Sequence, residues 1–463
     1  MATPIEYGDR MSDGDALLWH IEKDPQLRST ILVLWLLDRA PDRARFEAKV
    51  ERATRTIPRL RQRVMSNPAS LAPPRWELDP SFDRKFHLRW MAAPGDASLR
   101  AVLDSAEPIA MQGFDRARPL WELYVIEGMA NGGAAMLMKL HHSLSDGVGL
   151  VSMTTAMVER SREGSSREKP MPELPASQVM SQRDRVVDAL GHEWRRQLGR
   201  ARRVAGALPG LVTNPIASAQ AAAEAISSLG RLLRPVGEPL SPIMRGRSLS
   251  VRFDKLEFPV DALRAASKRV DGKLNDAFVA GVAGGLRLYH EAHGAPIEAI
   301  RMSMPINIRD ANSEAVAGNQ FVPARFPIPV GEVDPLERMR RIRGLVGAQR
   351  AERGLPMIEG VAGVLTRLPA AFATELFGSV QRGVDITTSN VPGPPMDVYV
   401  SGAKLDAVYG FGPLAGAAVN ITLFSQRGVA HLGINSDPAA VPDPERFTKC
   451  IANGFAEVLS SQP

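Results

Sequence analysis

Residues 134–147 read AAMLMKLHHSLSDG. Apart from Lys139 the run to 140 is apolar, and its length predicts a buried strand. It leads directly into His141 and His142, and helical spacing follows over 147–160. α/β scaffolds commonly carry reactive side chains where a strand ends. A histidine near neutral pKa is the usual base for taking a proton from an alcohol. The chain holds eight histidines, and only this pair is adjacent. A histidine followed by three residues and an aspartate, as in His142 and Asp146, is common by itself. The full string, with the pair, Asp146 and Gly147 placed after a strand, is far more specific. No metal is expected, because no His-Glu-x-x-His accompanies the pair and the other histidines are scattered. The Gly-x-Ser-x-Gly turn of a covalent serine nucleophile is also missing.

Working outward, the pattern predicts an α/β protein in two lobes joined by a linker. Over 1–160 it predicts strands at 29–37, 122–127 and 134–140 and a helix at 41–56. Residues 161–180 turn polar and proline-flanked, which marks a linker or exposed loop. Residues 183–234 are rich in Ala, Arg and Leu at helical spacing, so 161–245 reads as linker and basic amphipathic helices. The second lobe, 246–463, has predicted strands at 249–258, 300–306 and 384–390 and a hairpin of 417–424 with 429–434. Its predicted helices lie at 260–269, 275–293 and 336–353.

The length of 463 residues suits two domains. The net charge of +6 is compatible with a phosphorylated co-substrate or an anionic membrane. No zinc-finger spacing, lysine-rich arm or aromatic cluster for base stacking is present, so nucleic acid is not an expected partner. The single cysteine, Cys450, permits no intrachain disulfide, which favours a reducing, cytoplasmic setting. The first ten residues lack the apolar core of a signal peptide. The longest charge-free run, 407–426, is broken by glycines, Pro413 and Asn420, so any membrane contact is expected to be peripheral. Between 183 and 203, seven arginines face three acids. A helix of this kind either lies on an anionic lipid surface or packs between the lobes.

Several ordered segments resemble the bacterial wax ester synthase/diacylglycerol acyltransferase family. They are 12–22 near the start, 58–64, the Pro119-Leu120-Trp121 motif, 141–147, Leu274-Asn275-Asp276, and 389–394 with Ser389, Asn390 and Pro392. The resemblance spans nearly the whole chain. It implies the two-lobed fold of chloramphenicol acetyltransferase, with a mixed sheet in each lobe and a tunnel between them. It implies transfer of a long-chain acyl group from acyl-CoA, as co-substrate, to diacylglycerol or a long-chain alcohol, with no permanently bound cofactor. It also implies peripheral association with the inner face of the plasma membrane or with lipid droplets. Another specialised lipid or polyketide alcohol as acceptor, or a non-catalytic lipid-surface scaffold, stays open, as does the oligomeric state.

In that family the second histidine is the base, here His142, and the aspartate, here Asp146, is mainly structural. His141 is expected to support it. Asp146 fits a helix N-terminus or a pair with an arginine, Arg309 being the candidate. Gly147 keeps a side chain out of the tunnel or permits a tight turn. Asn275 is expected either to cap the helix beside Asp276 or to donate to an oxyanion. Ser389 and Asn390 are candidate donors to substrate or oxyanion. Pro119, Leu120 and Trp121 read chiefly as core. One departure stands at 425–428, where the family's Ser-Tyr-x-Gly hairpin is Ser425-Gln426-Arg427-Gly428.

Overall fold

The computed structural model describes residues 7–67, 72–144, 153–164, 170–175, 179–213, 237–307, 321–352 and 381–461, together with 227, 374–375 and 378–379. In chain order the strands are β1 (Thr30–Leu37), β2 (Gln62–Met65), β3 (Arg75–Leu78), β4 (Leu88–Ala92), β5 (Trp121–Glu127), β6 (Ala134–His141) and β7 (Arg252–Pro259). They continue as β8 (Ala299–Asn307), β9 (Phe321–Pro329), β10 (Ile386–Pro392), β11 (Tyr399–Val400), β12 (Ala403–Phe411), β13 (Val419–Gln426) and β14 (Val429–Ser436). The longer helices are α1 (Asp13–Ile21), α2 (Arg43–Thr56), α3 (Leu99–Met111), α4 (Gln182–Thr213), α5 (Val260–Lys268), α6 (Leu274–Ala292), α7 (Pro335–Arg350) and α8 (Pro444–Ser460).

Two six-stranded sheets carry the fold. The first runs β11-β12-β1-β6-β5-β4, antiparallel except where β4 lies parallel to β5. Apolar side chains pack on both of its faces, α1 and α2 contributing to one and α3 to the other. That explains why β1 (TILVLWLL) and β6 (AAMLMKLH) are almost uniformly apolar rather than alternating. The second sheet runs β7-β14-β13-β10-β8-β9, with β10 parallel to both β8 and β13. The helices α6 and α8 cover one of its faces and form the larger core.

The sheets do not divide the chain at one point. Residues 399–411, expected within the second lobe, carry β11 and β12, of which β12 pairs with β1 and β11 with β12 in the first sheet. The crossing brings the sheets close together: a Cβ on Gly410 would lie 2.5 Å from the Phe424 ring, and one on Gly433 would lie 2.1 Å from the Gly410 carbonyl oxygen.

The α6–α8 seam is equally tight. A Cβ on Gly454 would stand 2.1 Å from the Gly285 nitrogen and 2.4 Å from the Gly281 oxygen. These are backbone atoms in helices, so the two axes would have to separate. Gly454→Val is therefore expected to lower unfolding free energy by about 3 kcal/mol, measured by denaturant titration. An unchanged midpoint would show that the seam can open freely.

Asp42 opens α2 by accepting from the Arg45 N–H at 2.9 Å. The expected hairpin is present as β13–β14, closed by Arg427 (φ 48°) and Gly428 (φ 80°). Arg427 tolerates the left-handed conformation there, and its Nε lies 2.5 Å from Asp397 Oδ1. Among the described residues, no helix is long and apolar enough to cross a membrane.

Candidate active site

β6 ends at His141, opposite Thr30 of β1. One residue further, the His142 N–H donates to the Ser29 carbonyl at 2.9 Å, so the backbone of His142 is still anchored to the neighbouring strand. Residues 142–144 then turn as a single 3₁₀ turn. This local geometry gives the two histidines different surroundings.

His141 is fully buried. Its Nδ1 accepts from the Ser143 N–H at 3.1 Å and lies 2.7 Å from Ser143 Oγ. The ring proton is therefore on Nε2, which lies 2.9 Å from Glu22 Oε1, off the axis of a well-aligned hydrogen bond. The rings of Trp19 and Phe114 stand edge-on to it at 5.6 and 6.1 Å. His141 is thus held on one side by Ser143 at Nδ1 and faces the Glu22 carboxylate with Nε2 on the other, away from the cavity that His142 lines.

Glu22 Oε1 also accepts from the Ser29 N–H at 2.7 Å, and Ser29 is the residue whose carbonyl holds His142. Arg116 approaches Oε2 at 3.8 Å and covers the Trp19 ring. Burial alone would push the Glu22 carboxyl up, but His141, the Ser29 N–H and Arg116 hold it below the ordinary carboxylate value. In the sequence Glu22 is only the last residue of a matching segment. Its role depends on α1 meeting the ends of β1 and β6.

His142 is half-buried and lines a cavity of about 250 Å³ between the sheets. Burial, with His141 beside it, pushes its imidazole down to about 4, so the ring is neutral at physiological pH. Ser29, Ile31 and Val33 come to this cavity from the first sheet; Ser303, Thr387, Ser389, Asn420, Thr422 and Phe424 come from the second. Register explains the grouping. Thr387 pairs with Ser303 and Asn420, Ser389 with Thr422, and Val391 with Phe424. The cavity is thus polar along two rungs and apolar at the third. The Thr422 hydroxyl donates to Asn420 Oδ1 at 2.9 Å, and Asn420 Nδ2 donates to the Pro413 carbonyl at 3.2 Å. The hydroxyls of Ser303, Thr387 and Ser389 make no hydrogen bond to another described residue and are available as donors.

Val33, Val391 and Phe424 also line a second cavity of about 300 Å³. Its wall is almost wholly apolar, with Trp35, Met138, Leu405, Val408 and the turn Pro392–Gly393–Pro394. The two cavities therefore adjoin along these three shared side chains, one partly polar and the other almost wholly apolar.

The other expected site residues divide as follows. Ser389 lines the chamber, whereas Asn390, on the opposite face of β10, is exposed and does not. The period of two along a strand separates them. Asn275 is not an N-cap: α6 begins at Leu274 after Lys273, and the Asp276 carboxylate accepts from the Lys273 N–H at 2.7 Å. Asn275 Nδ2 instead lies 3.5 Å from Met304 Sδ, outside the chamber lining. Leu120 and Trp121 are core, the indole donating to the Leu60 carbonyl at 2.9 Å, and Pro119 is buried beside them. Asp146, Gly147 and Arg309 lie outside the described residues. Among the described residues, no group of three or more His, Cys, Asp and Glu side chains could hold a metal ion.

Two mixed sheets meeting over a histidine-bearing chamber define the two-lobed fold of the CoA-dependent acyltransferases and condensation domains. The wax ester synthase/diacylglycerol acyltransferase from Marinobacter aquaeolei VT8 superposes with a TM-score of 0.61 at 22% identity, covering 97% of this chain and 98% of that one. The first condensation domain of the calcium-dependent antibiotic synthetase gives 0.62 at 16% identity, with 98% and 97% covered. Residues 11–278 match the wax ester synthase/diacylglycerol acyltransferase catalytic domain, and residues 317–458 match the C-terminal domain of the same family. A Mycobacterium tuberculosis protein, provisionally named a diacylglycerol O-acyltransferase, is 38% identical over 98% of this chain and 92% of its own length. The chain belongs to the wax ester synthase/diacylglycerol acyltransferase family and is an acyltransferase.

Proposed function

We propose that the protein transfers a long-chain acyl group from acyl-CoA to the free hydroxyl of diacylglycerol, giving triacylglycerol, and that it accepts long-chain alcohols by the same chemistry. The observation that carries this reading is the neutral His142 imidazole, facing a partly polar chamber that adjoins an apolar one. His142 takes the proton from the acceptor hydroxyl. The alkoxide oxygen attacks the thioester carbonyl, and the C–O bond forms as the carbonyl becomes a tetrahedral oxyanion. Hydroxyls already in place, with Ser389, Thr387 and Ser303 the best situated, donate to that charge. The C–S bond then breaks, and the imidazolium returns its proton to the departing CoA thiolate. No acyl-enzyme forms, so both substrates occupy the chamber together.

The apolar chamber supports a long alkyl chain. The hydroxyl-bearing rungs support an ester-forming centre rather than a purely passive lipid pocket. Labelled acyl-CoA supplied with a panel of acceptors tests the reading. Triacylglycerol should be the main product with diacylglycerol, and wax ester should form with long-chain alcohols. Label found only in polyketide or other polar alcohol products would favour a specialised acceptor, and no ester from any acceptor would favour a lipid-surface scaffold.

A further inference from the structure

The helix α4 (Gln182–Thr213) is mounted inside out. A surface helix ordinarily turns its apolar stripe to the core and its charges to water. Here the charged side chains of Arg185, Asp188 and Arg196 face inward, towards the first lobe. Arg185 holds Glu77 through two hydrogen bonds of 3.0 and 3.1 Å. Arg196 holds Asp13 through two of 3.0 and 2.7 Å, and Asp188 receives both Arg10 and Arg75. Ala189, on this same face, is completely buried.

The opposite face carries Val187, Leu190, Trp194 and Leu198, spaced as one helical stripe. They are 69%, 54%, 68% and 43% exposed. Exposed Arg183, Arg195 and Arg202 border the stripe. Of the acids on this part of the helix, exposed Asp184 is taken up by the N–H and hydroxyl of Ser181, and half-buried Glu193 accepts from Gln197 Nε2 at 2.8 Å. A contiguous apolar stripe held outward by ion pairs on its back marks a surface for something else.

We propose that this outer face of α4 docks on an anionic phospholipid bilayer. Trp194 and its apolar neighbours enter the interface while the bordering arginines meet lipid phosphates. A second copy of the chain fits less well, since a two-fold pairing would set the arginine borders against each other. The proposal rests on the lipid-acceptor reading only in that diacylglycerol resides in bilayers; the mounting of α4 is an independent observation.

The test is flotation of the full-length protein with vesicles of phosphatidylglycerol and phosphatidylcholine in equal parts, and with phosphatidylcholine alone. The wild type should float with the anionic vesicles and much less with the neutral ones. The pair Leu190→Ser with Trp194→Ser should weaken that binding roughly tenfold or more. Arg183→Gln with Arg195→Gln and Arg202→Gln should reduce it and its salt sensitivity together. All variants should keep the wild-type melting temperature and the wild-type rate on acceptor dispersed in detergent micelles. Absence of wild-type flotation, or full flotation of the Leu190/Trp194 variant, would overturn the proposal. So would a wild-type dimer in gel filtration that the same variant dissociates, because the stripe would then belong to a second copy. Loss of micellar turnover in the wild type would instead count against the acyl-transfer reading and leave the flotation result interpretable.

Discussion

His142→Ala is expected to cut turnover of acyl-CoA with diacylglycerol by at least about a hundredfold, and by as much as about ten-thousandfold. Alanine leaves the acceptor hydroxyl with no neutral base, and the returning proton with no carrier to the thiolate. The fold should be unaffected, because alanine keeps the His142 backbone N–H that donates to the Ser29 carbonyl. Melting temperature and acyl-CoA affinity should therefore stay near wild type. The loss should fall on kcat. Near-normal turnover in this variant would remove His142 from the mechanism.

Glu22→Ala should damage both rate and stability. It strips the Ser29 N–H and the His141 ring of a buried acceptor at one stroke. Two unpaired polar groups in that setting cost about 2–4 kcal/mol of folding free energy. The rate should fall about a hundredfold, because the strand ends that aim His142 lose their common clasp. Glu22→Gln is the informative companion. Its amide oxygen can still accept from Ser29, so most of the stability and much of the rate should return. A role in stability alone predicts equal kcat in the glutamine and alanine variants once both are folded; the positioning role predicts that kcat separates them. A Glu22→Ala enzyme with wild-type kcat would reduce Glu22 to ordinary packing.

Elements buried on both sides are legible in the amino-acid sequence itself. Strands β1 and β6 are apolar runs of strand length, β5 shows alternation, and α6 and α8 carry long helical periods. β9 escapes such a reading because Pro323, Pro327 and Pro329 look like breakers. At the edge of the second sheet a proline's missing N–H costs little. β12 escapes it for a different reason. Its sequence, AKLDAVYGF, becomes a strand by crossing to β1, a tertiary event that no local pattern announces. The site divides in the same way. The histidine pair and Ser389 are visible as motif residues, and the family resemblance gives the two histidines unequal roles. The structure adds a difference of surroundings that the motif does not announce: His141 is buried between Ser143 and Glu22, whereas His142 lines the cavity. Asn390 looks equivalent to Ser389 in the sequence, but the alternation of the strand turns it outward. The chamber hydroxyls of Ser303 and Thr387 are brought together only by the register of β8 and β10.

The central claim is that a half-buried, neutral His142 is the base, and the pH dependence of kcat/KM for acyl transfer tests it most directly. Protonating His142 removes the active form, so activity should fall as pH drops through its folded value. Burial places that value near about 4, below the ordinary histidine value of about 6.5. Full activity should therefore persist at about pH 6, the acid limb should lie well below it, and the residual rate of His142→Ala should lack that limb. A limb centred at or above about 6.5, or one unchanged in His142→Ala, would contradict the assignment.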